Sequence, residues 1–441
     1  MNNKIRRRAA FASALLIIFT TLFSFFTVLP TSAAEVTKPE ITGCTSLLLY
    51  DKTHEKYVIE ENCYALLHTS TSAKIAMGLL ACEKLEGRLD ERVTISAEML
   101  SGATGSRAGI QVGEVISIRD LLYHAICGSY NDAAYVIAYI VGGSSQVFVE
   151  MMNLRVRDAG TKNTTYHNPI GYPDSDGMVT SAYDVLKIAL AASENPLYME
   201  ICSSVSYDTE AGDHKYNRNH LISSNQYIQY HNSRCLGMNA GYSGELGGWS
   251  IVTLVRDKES VGENVDYICV LLGGRESEDG SSIYAFEDVN RVTKWACSSF
   301  ENKVVFPKGK ELGKAKLGLT MGDETPYETA GELVAYIPTG SGKVSYKVEL
   351  NENLRAPMKA GDVIGKAVAT LDGERVGECD IVLSEDCEAN GIMKIIDLIG
   401  QYTKSRAFIA TAIFFVVAMI AVLVYKYFNR YTVTGRYTRR K

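Results

Sequence analysis

Two short stretches of this chain carry side chains that could do chemistry together. In Ser70-Thr71-Ser72-Ala73-Lys74-Ile75 the Thr71 hydroxyl stands three residues ahead of a lysine. On a helix that spacing projects both groups from one face. The residues that follow, through Leu85, are strongly apolar. A lysine at the head of such a helix is desolvated, its pKa falls, and it can serve as the base that activates a nearby hydroxyl. The chemistry this pair allows is nucleophilic attack by a base-activated hydroxyl. Ser70, four residues before Lys74, shares the same face and is the alternative nucleophile. Further on, Gly128-Ser129-Tyr130-Asn131-Asp132 offers a second hydroxyl and a carboxamide. Ser and Asn also favour helix termini, so a simple capping turn is the other reading of that stretch. The histidines at 54, 68, 124, 167, 214, 220 and 231 show neither triad nor metal-ligand spacing. No Cys pair or Cys/His cluster has it either, so neither a metal nor a cofactor is expected.

The elements around these residues follow from periodicity. Ser46 to Tyr50 and Lys56 to Glu60 alternate like two strands about a turn. Helices are predicted over Lys74 to Leu85, Ile118 to Val141 (ended by Gly142-Gly143), Ser181 to Ser193 and Phe286 to Phe300. Strands return at Trp249 to Val255 and Tyr267 to Leu272. Strands on both sides of a helical middle predict an α/β (α+β) domain, whose antiparallel sheet joins N- and C-terminal segments with helices packed on it. After residue 302 helical periods stop. Short β-like runs at Leu312 to Met321, Glu332 to Ile337, Lys343 to Leu350, Val363 to Leu371 and Glu374 to Val382 predict a small all-β domain over 303–386.

The two ends differ from the body. Residues 1–34 carry four positive charges and no acid, residues 404–441 carry eight and no acid, and the whole chain is at −6, which leaves −18 on residues 35–403. So acidic a body has no footprint for nucleic acid. Lys4 to Arg8, the apolar run to Leu29 and Ser32-Ala33-Ala34 read as a signal peptide over 1–34, with an uncleaved anchor as the alternative. Residues 407–425 are uncharged, long enough to cross a hydrocarbon core of ~30 Å, and are followed by a basic tail, 426–441. Positive charge beyond the span predicts a cytoplasmic tail and an exported body, held at the cell membrane by a single pass. Residues 391–406 fit either an amphipathic juxtamembrane helix or a linker. Ten cysteines lie mostly in apolar contexts, which favours buried thiols, whereas an exported chain favours pairing.

Taken in order, these motifs resemble the low-molecular-weight penicillin-binding proteins, the serine-type D-alanyl-D-alanine carboxypeptidases. Their first motif, S-x-x-K, aligns with Thr71 to Lys74, and their second, S-x-N, with Ser129-Tyr130-Asn131. Phe148 to Asn153, Asn168-Pro169-Ile170-Gly171 and Thr180 to Asp184 match the region leading to the third motif. Leu354 to Gly361 and Ile364-Gly365 match the membrane-proximal β module. The resemblance covers about residues 38–386. It implies a transpeptidase-like domain over 38–300 and the terminal D-Ala-D-Ala of peptidoglycan stem peptides as substrate. Thr71, Lys74 and Ser129 then stand at the catalytic positions, and Asn131, Asn239, Ala240, Gly241 and Tyr242 at the substrate-binding ones.

The departures fall on two of the three motifs. Thr71 replaces the family's Ser, and its extra methyl restricts χ1. The third motif, K-T-G-Y, reads Asn239-Ala240-Gly241-Tyr242, so its cation and hydroxyl are both gone. The Arg that the family places beyond this strand has no counterpart in Gly280 to Tyr284, although Arg275 lies nearby. Each lost charged hydrogen bond is worth about 1.5–3 kcal/mol. The chain is therefore expected to bind stem peptides, or a partner enzyme of the cell wall, with lost or strongly reduced catalysis. The alternative is a working carboxypeptidase that uses Thr71.

Overall fold

The computed structural model describes residues 37–172, 177–223, 226–257 and 264–434. The signal-peptide reading and the last residues of the basic tail fall outside them. The chain divides into two units, one of residues 34–302 with 337–341 and one of residues 303–336 with 342–441.

The first unit is built on a five-stranded antiparallel sheet. Its strands are β1 (Ser46–Asp51) and β2 (Lys56–Glu61) from the N-terminal side, and β5 (Cys235–Ser243), β6 (Gly248–Asp257) and β7 (Val265–Gly274) from the C-terminal side. The order is β2-β1-β7-β6-β5, so the first strand joins the last, with Ser46 opposite Leu272 and Asp51 opposite Tyr267. A two-stranded ribbon of β3 (Leu67–His68) and β4 (Val179–Thr180) stands apart from the sheet.

Between these strands lie α1 (Ala73–Leu85), α2 (Ile118–Ile126), α3 (Asn131–Gly142), α4 (Ser145–Asp158), α5 (Ala182–Ser193) and α6 (Pro196–Cys202), and α7 (Tyr284–Ser299) follows the sheet. Their starts are written in side chains. Ser117, Ser144, Ser181 and Asn195 each accept a hydrogen bond from the backbone N–H three residues on, which satisfies a donor the helix leaves open. From Ile75 to Cys82 the helix α1 is apolar on every side because it is buried on every side, while Glu83 and Lys84 reach solvent at its end. A Cβ at Gly78 would come within 2.9 Å of the Tyr198 ring, so glycine there lets α1 pack close to α6.

The helix expected over Ile118 to Val141 is two helices. The chain turns at Gly128-Ser129-Tyr130, where Ser129 adopts a left-handed φ of 54°. A Cβ at Gly128 would sit 2.5 Å from the Tyr130 ring, so the turn needs glycine before it. Apolar periodicity runs through the break because both helices bury a face in the same core. The helices Ser145–Asp158 and Pro196–Cys202 were not expected; their apolar stripes are short, and only their caps announce them.

The second unit is a five-stranded antiparallel sheet, β8 (Glu311–Lys316), β9 (Glu324–Thr329), β10 (Ser345–Leu350), β11 (Val363–Leu371) and β12 (Glu374–Leu383), in the order β8-β9-β12-β11-β10. Its core holds Ile364, Ala367, Ala369, Ile381 and Leu383. Then come α8 (Gly391–Lys404), capped by Asn390, and α9 (Arg406–Thr434). No residue of α8 is buried, and Ile392, Ile395, Ile396, Ile399 and Tyr402 form an exposed apolar face, while Arg355 pairs with Asp397 at 3.0 Å. Among the described residues, Arg406–Phe428 is a single helix long and apolar enough to cross a membrane.

Candidate active site

Thr71 sits in a tight turn, Ser70–Ser72, that leads into α1. The β3–β4 ribbon fixes where this turn begins, because Thr69 N donates to Met178 O just beyond it. The Ser72 hydroxyl donates back to Thr69 O and tightens the turn. The side chain of Ser70, the alternative nucleophile, lies outside the described atoms.

Lys74 opens the buried helix and is 3% exposed. Its Nζ lies 3.1 Å from Ser129 Oγ and also donates to the Ser129 carbonyl. Burial foremost, and the Arg218 charge after it, lower its pKa from the ordinary 10.5 to about 7 against the opposing charge of Asp132. A large share of Lys74 is therefore neutral at neutral pH and can accept a proton. The left-handed conformation of Ser129 turns its hydroxyl and its carbonyl toward the same amine.

Asp132 holds the loop that walls the other side. Its carboxylate accepts hydrogen bonds from the N–H of Ala108 and Gly109 at 2.9 Å and of Ile110 at 3.2 Å. Asn131 N donates to Ser106 O, and Asn131 Nδ2 to Thr104 O. Asn131 Oδ1 has no hydrogen-bond partner in the structure. The carboxamide is thus held by its nitrogen, and its oxygen is a buried acceptor that no group in the protein uses.

The strand β5 closes the site. A Cβ at Gly241 would lie 2.6 Å from Thr71 Oγ1 and 2.7 Å from Thr71 Cγ2, so only glycine fits against that side chain. Thr71 Oγ1 is itself buried and makes no hydrogen bond. Asn239 and Ala240 are buried within β5 and do not line the cavity; Asn239 Oδ1 is unpartnered. Tyr242 lines the cavity and is 45% exposed, with its ring 5.5 Å from that of Trp249.

Thr71, Lys74, Ser129, Asn131, Gly241 and Tyr242 thus converge on one cavity of about 560 Å³. Arg218 lines it too, a residue that sequence reasoning missed. Its backbone N–H donates to Cys127 O, and Asn217 beside it donates through Nδ2 to Cys202 O and Ser204 O, which anchors the segment to the ends of α2 and α6. Arg218 stands in no motif spacing, so only the fold reveals it. It supplies a cation facing the cavity where the third motif has lost one. Arg275 does not line the cavity and donates instead to Thr42 O. The ten cysteines are free thiols, and burial raises the pKa of Cys82, Cys127 and Cys269 among them.

Comparison with known proteins agrees with this arrangement. A family model described as D-alanyl-D-alanine carboxypeptidase matches residues 32–274, and one described as penicillin-binding protein 5, C-terminal domain, matches residues 300–389. The D-alanyl-D-alanine carboxypeptidase DacF of Bacillus subtilis is 24% identical over 370 residues, which is 82% of this chain and 90% of the relative. DacA of Escherichia coli is 24% identical over 367 residues, 80% of this chain and 86% of its own length. Penicillin-binding protein 5 from Haemophilus influenzae has the same fold, with a TM-score of 0.59 at 24% identity, covering 80% of this chain and 99% of that one.

Proposed function

Because the chain belongs to the D-alanyl-D-alanine carboxypeptidase family, which acts on peptidoglycan, we propose that its cavity binds the D-Ala-D-Ala end of stem peptides with little or no turnover. The observation that carries this reading is the Thr71 hydroxyl. It packs against Gly241, out of contact with solvent and with any partner, while Lys74 spends its hydrogen bonds on Ser129. Attack needs the hydroxyl to face the substrate carbonyl and to hand its proton to a base. The absence of a hydrogen bond from Thr71 Oγ1 to either Lys74 or Ser129 supports the binding reading. Binding, by contrast, has a partner in the cavity wall: the Arg218 guanidinium can take the terminal carboxylate.

A second reading has its own observation. Lys74 with a pKa near 7 is a suitable base. A χ1 rotation of Thr71 would turn the hydroxyl into the cavity. Then the Thr71 oxygen would bond to the penultimate D-Ala carbonyl carbon as its proton passed to Lys74. That proton, relayed by Ser129, would leave with the terminal D-Ala nitrogen as the amide C–N bond broke, and water would release the ester. This is a slow threonine-type carboxypeptidase.

The same reading places the body outside the cytoplasm, with α9 spanning the membrane and the apolar face of α8 lying on its surface. Covalent capture separates binding from turnover. A fluorescent penicillin should leave the protein unlabelled under conditions that saturate an intact family member, because losing one preorganised contact where charge develops costs ~10²- to 10³-fold. Stoichiometric label on Thr71, absent in Thr71→Ala, would establish the second reading instead.

A further inference from the structure

The cavity that Thr71 and Lys74 line has a neighbour along α3. Asn131 lines the first cavity, and Tyr135 and Tyr139, one and two turns later on the same helix face, line a second one of about 490 Å³. The rest of its wall comes from Glu98 and Ser101 on one side and Ser144 and Ser145 on the other. The loop from residue 97 to residue 106 serves both cavities, with Ala97 to Ser101 walling the second and Gly105 and Ser106 the first. Between them it crosses α3 as a low strap. A Cβ at Gly102 would lie 2.8 Å from the Tyr135 ring, and one at Gly105 would lie 3.0 Å from Asn131 Nδ2. Ala103 is buried, so Thr104 is the one side chain of that strap that stands above it. A ligand passing from one cavity to the other would cross this strap beside Thr104 and the Arg107 guanidinium, which donates to Ala103 O at 2.6 Å.

The spacing and the chemistry point to the same occupant. At ~1.5 Å per residue, Tyr139 lies ~12 Å along the helix from Asn131. Four extended peptide residues span ~13 Å. A stem peptide is joined at its other end to an amino-sugar, and four extended residues counted from beside Asn131 would bring that sugar to the second cavity. Two tyrosine rings offer flat apolar faces to the C–H surfaces of a sugar, and their hydroxyls, three serines and a carboxylate answer its hydroxyl and amide groups. The Ser96 hydroxyl holds the Glu98 carboxylate below its usual range, so it remains an acceptor.

We propose that this second cavity binds the amino-sugar at the head of the stem peptide, so that the protein recognises peptide and glycan together. The inference rests on the stem-peptide reading above. The test uses the full chain in detergent and two probes, a D-Ala-D-Ala-ended stem pentapeptide and the same peptide carrying its N-acetylated disaccharide. Titration calorimetry should show the sugar-bearing probe bound about tenfold tighter. Tyr139→Ser should erase that gain and leave the bare peptide within about twofold of wild type, and Glu98→Gln, at an exposed position, should erase part of it. Equal affinity of wild type for the two probes would overturn the proposal, as would a gain that survives in both variants. If neither probe binds, the stem-peptide reading falls and this inference with it.

Discussion

Replacing Lys74 by Met should change how the stability of the first unit depends on pH. The amine is held at a pKa of about 7 against its ordinary 10.5. Between those values the unfolded chain binds a proton that the folded chain does not, so wild-type stability rises with pH across that window. Below pH 7 both states are protonated and the cost of burying the ammonium is present in full. Above 10.5 both are neutral and it has gone. A difference of this size corresponds to ~5 kcal/mol, gained at ~1.4 kcal/mol per pH unit. Met carries no such term. It does leave the Ser129 hydroxyl and carbonyl unpaired, at ~1–3 kcal/mol each, but that loss is the same at every pH. The stability of Lys74→Met relative to wild type should therefore fall as pH rises from 7 to 10. Urea unfolding followed by tryptophan fluorescence reads this directly, since Trp249 and Trp295 both lie in the first unit. Parallel profiles for the two proteins from pH 6 to 10 would refute the burial argument.

Arg218→Ala should weaken binding of a D-Ala-D-Ala peptide by ~10- to 100-fold, the worth of one charge-assisted hydrogen bond, as measured by calorimetry; unchanged affinity would remove Arg218 from the carboxylate site. Gly241→Ala should destabilise the first unit by ~1–3 kcal/mol through its clash with Thr71, and Thr71→Ala should relieve part of that loss in the double variant, which a double-mutant cycle of urea midpoints would show. Protease added to intact cells should remove the body and spare the segment beyond Lys426; a protected body would reverse the proposed orientation.

Much of the fold was legible because burial writes itself as period. Residues 74–85 read as a helix and 46–60 as a hairpin, and the structure has α1 over Ala73–Leu85 and strands at Ser46–Asp51 and Lys56–Glu61. The turn at Ser129 was hidden for the same reason, since Leu122, Ala125, Ala133 and Val136 continue one apolar core across it. At the site, the spacing of Thr71, Lys74, Ser129 and Asn131 placed four residues in one cavity. Two facts were out of reach. Arg218 arrives there by tertiary packing from a segment without regular structure, and the side a hydroxyl faces is set by how closely β5 approaches Thr71, which no spacing encodes.

The pairing of Ser46–Asp51 with Val265–Gly274 has a consequence for how the protein is made. These strands are more than two hundred residues apart, so the sheet has a high contact order and cannot close until the chain is synthesised past Gly274. Until then the helical middle, whose contacts are local, can form, while β1 and β2 have only each other and an open edge. Were the body exported as proposed, that interval would be spent on the far side of the membrane with strand edges free to pair with another copy. A truncation before Val265 would leave the β1-β2 and β5-β6 pairs unjoined, because β7 is the strand that stands between them.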